Sequence, residues 1–358
     1  MFRVMLAAAG LLLLTAALRS EDPKDNSKSE KPSAAAQKYV SLLKDFQEAN
    51  REGKATYGKY ARKFLDLAKE IADDPAAVDA LIWVVDYGPD SKEAGTALEA
   101  LKKDHLDSPK MVQVCRSLNE SDSKQAVSFL RAVLDNSKDH HSQGQACYSL
   151  ATHAKRIAQR AKDNDEENAD NLTKEAEDLF ERVIKDFGDI KYGNLTFKDF
   201  AEGEVFEMRF LVVGMNVPEI DGEDTEGARM KLSDFKGKVV LLEFWGHWCG
   251  ACMSFVPHER ELVKKLDGKP FAIVGINSDR DRDKSKEADK KSEITWRSFW
   301  NGGSPDGSIA TKWNVRKWPT LYLIDHTGVI RNKYKGLPGD SIDRVIGELV
   351  KDAERAKK

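Results

Sequence analysis

Two spacings of apolar residues divide the chain. From Ala34 to about Phe187 apolar positions recur with a helical period, and β-branched residues are few. Leu42, Leu43 and Phe46 mark one apolar stripe, and Phe64, Leu65 and Ala68 another. Gly53, Asp74-Pro75, Gly88-Pro89 and Ser108-Pro109 supply the breaks, glycine through backbone freedom and proline through its missing N–H. After Gly214 the pattern changes. The run Val239 to Trp245 is almost continuously apolar, as a central strand covered on both faces requires. A helix is predicted from about Cys249 to Leu266, and a second buried strand over Phe271 to Ile276. A charged crossover, Asp279 to Lys291, leads to Ile294–Phe299. The segments Thr320–Ile324 and Val329–Tyr334 flank the turn His326-Thr327-Gly328 as a hairpin, and a last helix starts at Ser341. Strands alternating with helices and ending in an antiparallel pair predict an α/β sandwich with a mixed sheet.

The N-terminal half carries one internal echo. Phe129-Leu130-Arg131-Ala132-Val133-Leu134 matches Leu179-Phe180-Glu181-Arg182-Val183-Ile184, with the acidic stretch Asp163 to Asp170 between them. Both resemble the second helix of a tetratricopeptide-like hairpin, although the Trp and Leu-Gly positions of that repeat are missing. An irregular array of helical hairpins and a plain helical bundle both fit. At the start, Arg3 precedes an apolar run from Val4 to Leu18, short of the roughly 20 residues that span a bilayer. A signal peptide suits this run, with an uncleaved short anchor as the alternative. Glu21 to Lys31 is charged and bears Ser and Pro, as a tether does. The expected division is residues 1–20 signal peptide, 21–33 flexible tether, 34–200 helical domain, 201–213 linker and 214–358 α/β domain.

Charge narrows the partners. The 57 basic residues nearly cancel the 60 acidic ones, leaving −3, so no broad basic surface invites nucleic acid. No stable membrane span is expected once the leader is removed. Four cysteines in 358 residues are too few to staple a scaffold, so their chemistry is expected to be local. Cys115 and Cys147 lie one helical hairpin apart. They are either bonded, which demands that both point inward, or two buried small thiols.

Cys249-Gly250-Ala251-Cys252 sits where a buried strand ends and a helix begins. Cys249 at the helix N-terminus meets unpaired N–H groups and the positive end of the macrodipole, which favour its thiolate. Cys252, one turn on, can attack a mixed disulfide and release the product. Half a zinc site is the alternative, but no second Cys-x-x-Cys exists and His247 and His258 lack zinc-finger spacing. His247 either tunes the Cys249 thiolate or is an exposed loop residue. Glu243, among Val239, Leu241, Leu242 and Phe244, is either desolvated, with a raised pKa, or turned to the sheet edge and water.

The stretch from Gly214 to about Lys351 resembles the thioredoxin-fold domain of the TlpA/ResA-like exported thiol–disulfide oxidoreductases. The carrying residues are Leu232 to Lys238, Phe244-Trp245 before Trp248-Cys249-Gly250-Ala251-Cys252, and Trp318-Pro319-Thr320 before a strand. The resemblance implies Cys249 and Cys252 as the redox-active disulfide and Pro319 as a cis-proline facing it. It also implies Glu243 as manager of the Cys252 proton, and Trp248, Trp318 and Thr320 as substrate contacts. No cofactor and no metal are expected. Ala251 stands where many relatives carry Pro, and Trp318 where thioredoxins carry a smaller residue. The function so implied is an exported reductase of protein disulfides, in the periplasm or cell envelope. A separate thiol partner would supply its electrons, and the helical part would bind a partner. Two rivals remain: a non-catalytic helical scaffold with a thioredoxin-like binding module, and a peroxiredoxin-like peroxidase. The latter wants Thr where Gly246 stands.

Overall fold

A computed structural model of the protein describes residues 32–339 and 341–357. The expected signal peptide and most of the tether lie outside these residues. The chain divides into two compact units, Met1–Ala80 and Leu81–Lys358.

In the described part of the first unit, α1 (Ala34–Arg51) and α2 (Tyr57–Glu70) form a hairpin broken at Gly53, which has a positive φ of 70°. The Ser33 hydroxyl accepts from the Ala36 N–H and so starts α1. Phe46 meets Tyr60 edge-on, and Tyr39 meets Phe64 in the same way. The predicted apolar stripes are thus the packed faces. Helix α3 (Ala76–Tyr87) begins after the Asp74-Pro75 break.

The second unit continues with α4 (Lys92–Asp104), α5 (Met111–Ser117), α6 (Lys124–Asn136), α7 (His140–Asp163) and α8 (Ala169–Phe187). Ser91, Ser123 and Asp139 cap α4, α6 and α7 with side-chain oxygens. The two echoed segments fall on α6 and α8, which both pack on α7, and Phe129, Val133, Phe180 and Val183 are buried. A two-residue ribbon follows, β1 (Lys191–Tyr192) with β2 (Leu195–Thr196), and then α9 (Phe197–Phe210).

Helix α9 corrects the expected linker at 201–213. A capping box between Thr196 and Asp199 starts it, and residues 201–210 are its later turns. It packs on α8 and also on α12 (Ser308–Lys312). Gly203 makes the second contact feasible, because a Cβ there would stand 2.8 Å from the Thr311 carbonyl oxygen. The acidic, glycine-bearing sequence reads as solvated, but Glu207 is buried and its charge is met by groups remote in sequence. It accepts from Lys155 of α7, from Asn314 and from Lys333, with Lys335 also within 3.0 Å. Burial pushes the Glu207 carboxyl up, yet the three lysines outweigh it and hold the group well below the usual carboxylate range.

The sheet runs in the order β7-β6-β5-β8-β9. Its strands are β5 (Val239–Trp245), β6 (Phe271–Asn277), β7 (Ser298–Trp300), β8 (Thr320–Ile324) and β9 (Ile330–Lys335). The first three pair in parallel, whereas β8 is antiparallel to β5 and β9, so the mixed α/β expectation holds. A short ribbon, β3 (Asp221–Glu223) with β4 (Arg229–Lys231), precedes it. Helix α10 (Gly250–Lys265) follows β5, α11 (Arg282–Lys291) forms the charged crossover, and α13 (Ile342–Ala356) ends the described chain.

All seven residues of β5 are buried, and their alternation builds two cores. Val240, Leu242 and Phe244 join Leu211, Trp313 and Tyr322 on one face; Val239 and Leu241 join Leu262 and Ile346 on the other. Leu211 and the partly buried Phe206 belong to the first core, so the end of α9 is part of the sheet's packing.

Glu207→Ala should leave Lys155 with Glu204 alone and Lys333 facing no carboxylate, at a cost of about 3–5 kcal/mol, the range for breaking a buried charge pair. A lower urea midpoint checks this, and an unchanged midpoint refutes it. The depressed pKa fixes the sign with pH. Stability from Glu207 is present above about 4.3 and is lost as pH falls, because the unfolded chain takes up the proton first.

Candidate active site

Strand β5 ends at Trp245, and four residues later Cys249 stands as the N-cap of α10. Its sulfur accepts from the Cys252 backbone N–H at 3.1 Å, so it occupies the place of a capping oxygen. The two cysteines are joined as a disulfide with Cα atoms 5.2 Å apart. Cys249 is 7% exposed and Cys252 0%, so what little of the pair reaches the surface belongs to Cys249. The backbone N–H groups of the first turn face that same sulfur, which favours its anionic form once reduced.

An apolar collar surrounds the pair. Trp245 clusters with both cysteines, and Met253, Ile294 and Trp318 pack against them. Trp245 lies so close over Gly275 that a Cβ there would be 2.5 Å from its indole nitrogen, which faces the Ser298 hydroxyl at 3.3 Å. Trp318 meets Trp248 edge-on at 5.3 Å, and Trp248 is 48% exposed while its indole N–H donates to the Ser278 carbonyl. The Trp318–Pro319 bond is cis, and the Pro319 carbonyl accepts from the Gly336 N–H. Thr320, expected as a substrate contact, is buried at the head of β8 and donates its hydroxyl to the Lys317 carbonyl. It shapes the turn and presents no side chain to the surface. Leu337, next to Gly336, is an exposed apolar residue beside this segment.

His247 is not an exposed loop residue. Its backbone N–H donates to one Asp279 oxygen at 2.8 Å, and Nδ1 sits 2.6 Å from the other. Burial works against the Asp279 charge, but hydrogen bonds from His247, Asn277 and Ser285 hold its carboxyl low. Nε2 of His247 faces Asp289 at 3.5 Å, and burial raises the Asp289 carboxyl to about 6. Neither aspartate was visible as a partner in the sequence, because both belong to a loop and helix some thirty or more residues away.

Glu243 is 1% exposed, so the reading in which it points to water is overturned. It lies in the odd-numbered row of β5, between Leu241 and Trp245. Glu259 of α10 is 0% exposed and close enough to exchange a hydrogen bond with it. Among the described residues no other donor reaches either carboxyl, so the hydrogen bond open to the pair is an acid O–H given by one to the other. Burial raises both; the neighbouring Glu259 charge raises Glu243 further, and Glu259 itself is pushed up to about 7. Sequence reasoning missed Glu259. Its signal was the buried helical face Cys252, Val256 and Glu259, spaced four and three residues apart.

Cys115 and Cys147 are free and buried, and burial raises both thiols, Cys147 to about 12. Among the described residues no group of three or more His, Cys, Asp or Glu is placed to hold a metal ion.

A mixed sheet with a Cys-x-x-Cys disulfide at a strand–helix junction beside a cis-proline defines a thiol–disulfide oxidoreductase of thioredoxin fold. The AhpC/TSA family model matches residues 213–333. The ResA thiol-disulfide oxidoreductase of Bacillus thuringiensis subsp. konkukian is 32% identical over 124 residues, 35% of this chain and 70% of that protein. ResA of Bacillus subtilis is 28% identical over 141 residues, 39% of this chain and 77% of that protein. The thioredoxin domain of a thiol-disulfide oxidoreductase from Bacteroides vulgatus shares 28% identity, with a TM-score of 0.35, covering 39% of this chain and 98% of that one. Through its C-terminal part the chain belongs to the ResA-like thiol-disulfide oxidoreductases.

Two outcomes follow from the burial pattern. After reduction, alkylation near neutral pH should label Cys249 first, Cys252 much more slowly, and Cys115 and Cys147 only on unfolding; early loss of Cys252 would reverse the assignment. The raised carboxyl pair gives a pH slope opposite to that of Glu207. As pH climbs from about 4.3 towards neutrality the unfolded chain releases protons that the folded pair retains, so stability falls. Glu259→Gln should flatten this slope in urea denaturation, and a slope identical to the parent's would contradict the buried acid.

Proposed function

We propose that the protein is an exported reductase of protein disulfides, with Cys249 as the attacking thiol and Cys252 as the resolving one. One observation carries this reading: a helix-capping cysteine that retains a sliver of exposure, bonded to one that is fully buried. The reduced Cys249 thiolate attacks one sulfur of a substrate disulfide, forming a mixed disulfide and expelling the other substrate sulfur as a thiolate. Cys252 then loses its proton and attacks the Cys249 sulfur. The internal disulfide forms, and the second substrate thiolate leaves. Two electrons pass to the substrate, and a separate thiol partner restores the dithiol.

The surrounding residues support this assignment. Glu243 lies two residues before Trp245, which packs on both cysteines, and its carboxylate would take the Cys252 proton. Trp248, Trp318 and the Pro319 segment form the surface over the disulfide on which an extended apolar stretch of substrate would rest. The helical region would bind or position a partner. Export is supported by the apolar run Val4 to Leu18, and no described helix is long and apolar enough to cross a membrane.

The test is substrate trapping. Cys252→Ser should hold mixed disulfides on Cys249, since the intramolecular exit is gone, and Cys249→Ser should hold none. The parent should reduce insulin with a dithiol as electron source, and Glu243→Gln should slow turnover by about 10²-fold, the lower range of acid–base contributions. No insulin reduction and no trapped protein would favour the scaffold reading, and thiol-dependent peroxide consumption would favour the peroxidase.

A further inference from the structure

The carboxyl of Glu259 has no task in dithiol exchange as set out above, yet it is buried completely beside another buried acid. An ionisable side chain in that position is costly unless its proton or its charge is shared. Glu243 and Glu259 project from β5 and α10 into one layer between two apolar groups. On one side lie Val239, Leu241, Leu262 and the residues of α13; on the other lie Trp245 and the two cysteines. Cys252 and Glu259 share the buried face of α10, but two helical turns separate them, about 10 Å along the axis. Glu259 is therefore too far from Cys252 to take its proton directly. Glu243 lies on β5 between Leu241, which clusters with Leu262, and Trp245, which clusters with Cys252.

We infer that Glu243 and Glu259 work as one carboxyl pair that holds a shared proton and serves Cys252, with Glu259 as the positioning residue. Two like charges cannot both form in this layer, so the pair keeps one proton near neutral pH. In the resolving step the Cys252 S–H bond breaks and its proton adds to the pair, which then carries one proton on each carboxyl. The Cys252 electron pair forms the bond to the Cys249 sulfur, and the substrate sulfur leaves with the electrons of the mixed disulfide. The second proton passes from the pair to that departing thiolate, while the first departing thiolate takes its proton from water. Overall the thiolate–thiol enzyme, a substrate disulfide and one proton give the oxidised enzyme and two thiols.

The groups that could disturb this pair are few. Helix α10 also carries His258, which faces Asp343 of α13 at 2.9 Å. Strand β9 contributes the partly buried Tyr334. Among the described residues, burial apart, each acid is shifted only by the other, so the two titrate chiefly against one another.

The inference rests on the dithiol-exchange reading, and the test separates the two. Reduced full-length protein is mixed with an aromatic disulfide whose thiolate is coloured. Attack by Cys249 releases one coloured thiolate and resolution by Cys252 a second, and stopped-flow absorbance resolves the phases. Failure of the first phase would count against the exchange reading itself. The second phase of the parent should vary with pH in two steps belonging to the pair. Glu259→Gln should reduce these to one and slow the phase about tenfold at neutral pH, the effect of one pKa unit, while leaving the first phase unchanged. Adding Glu259→Gln to Glu243→Gln should cause no further loss. If the Glu259→Gln profile overlays the parent's and only its denaturation midpoint moves, Glu259 is a packing residue and the inference falls. Should Glu259→Gln fail to fold, infrared spectra of the oxidised parent decide. A protonated buried carboxyl persisting near neutral pH is required, and its absence overturns the shared proton.

Discussion

The buried carboxylate of Glu207 ties the helical part of the second unit to its sheet. Around it meet Lys155 from α7, Asn314 after α12, and Lys333 and Lys335 from β9. A buried cluster of this kind adds little net stability compared with apolar packing, since each charge has left water. Its force is geometric. Any displacement of α9 from the sheet would separate a carboxylate from lysines in a low-dielectric place, a far larger loss than slipping an apolar contact. Gly203 lets the same helix approach α12 closely, and Leu211 enters the sheet's core just beyond the helix end. The helices from α4 onward and the sheet are accordingly one compact unit, and the redox domain is held against its helical neighbour by a charge rather than hung from a linker.

The site depends on a second constraint, the strict alternation of β5. Even-numbered residues feed one apolar core and odd-numbered residues the other, with Glu243 placed in the odd row. That row runs from Val239 and Leu241 through Glu243 to Trp245, directly under α10. The consequence is a gradient along one face: an apolar floor, then a pair of acids, then the buried Trp245 indole packed against the disulfide. Gly275 on the neighbouring strand makes room for the Trp245 indole and so fixes the upper end of this series. The disulfide is reachable from solvent at Cys249 alone, while the groups suited to proton transfer lie on the dry side.

Much of this was legible in the chain itself. Elements after Gly214 fall where the apolar runs predict them, because a strand buried on both faces leaves a continuous signature and glycine and proline mark its ends. The Cys-x-x-Cys pair and Trp318-Pro319 likewise declare themselves by local spacing, as do the helix breaks at Gly53, Asp74-Pro75, Gly88-Pro89 and Ser108-Pro109. What local spacing hides depends on partners remote in sequence: residues 201–210 are helix rather than linker because α9 packs on α12 and Glu207 meets Lys333, and His247 is sheltered rather than exposed because Asp279 and Asp289 hold it.

Local order, the position of the Cys249–Cys252 pair and the α/β character were therefore determined by the sequence alone, since nearest neighbours and residue period set them. Tertiary structure decided which charges are buried and against what: Glu207 among three lysines from two elements, His247 between Asp279 and Asp289, and Glu243 opposite Glu259. The physical reason is that the energy of an ionisable group depends on burial and on charges a few ångströms away. Those neighbours are separated along the chain by 16 residues at the least for the acid pair and by more than a hundred for Glu207 and Lys333. No local spacing encodes such distances.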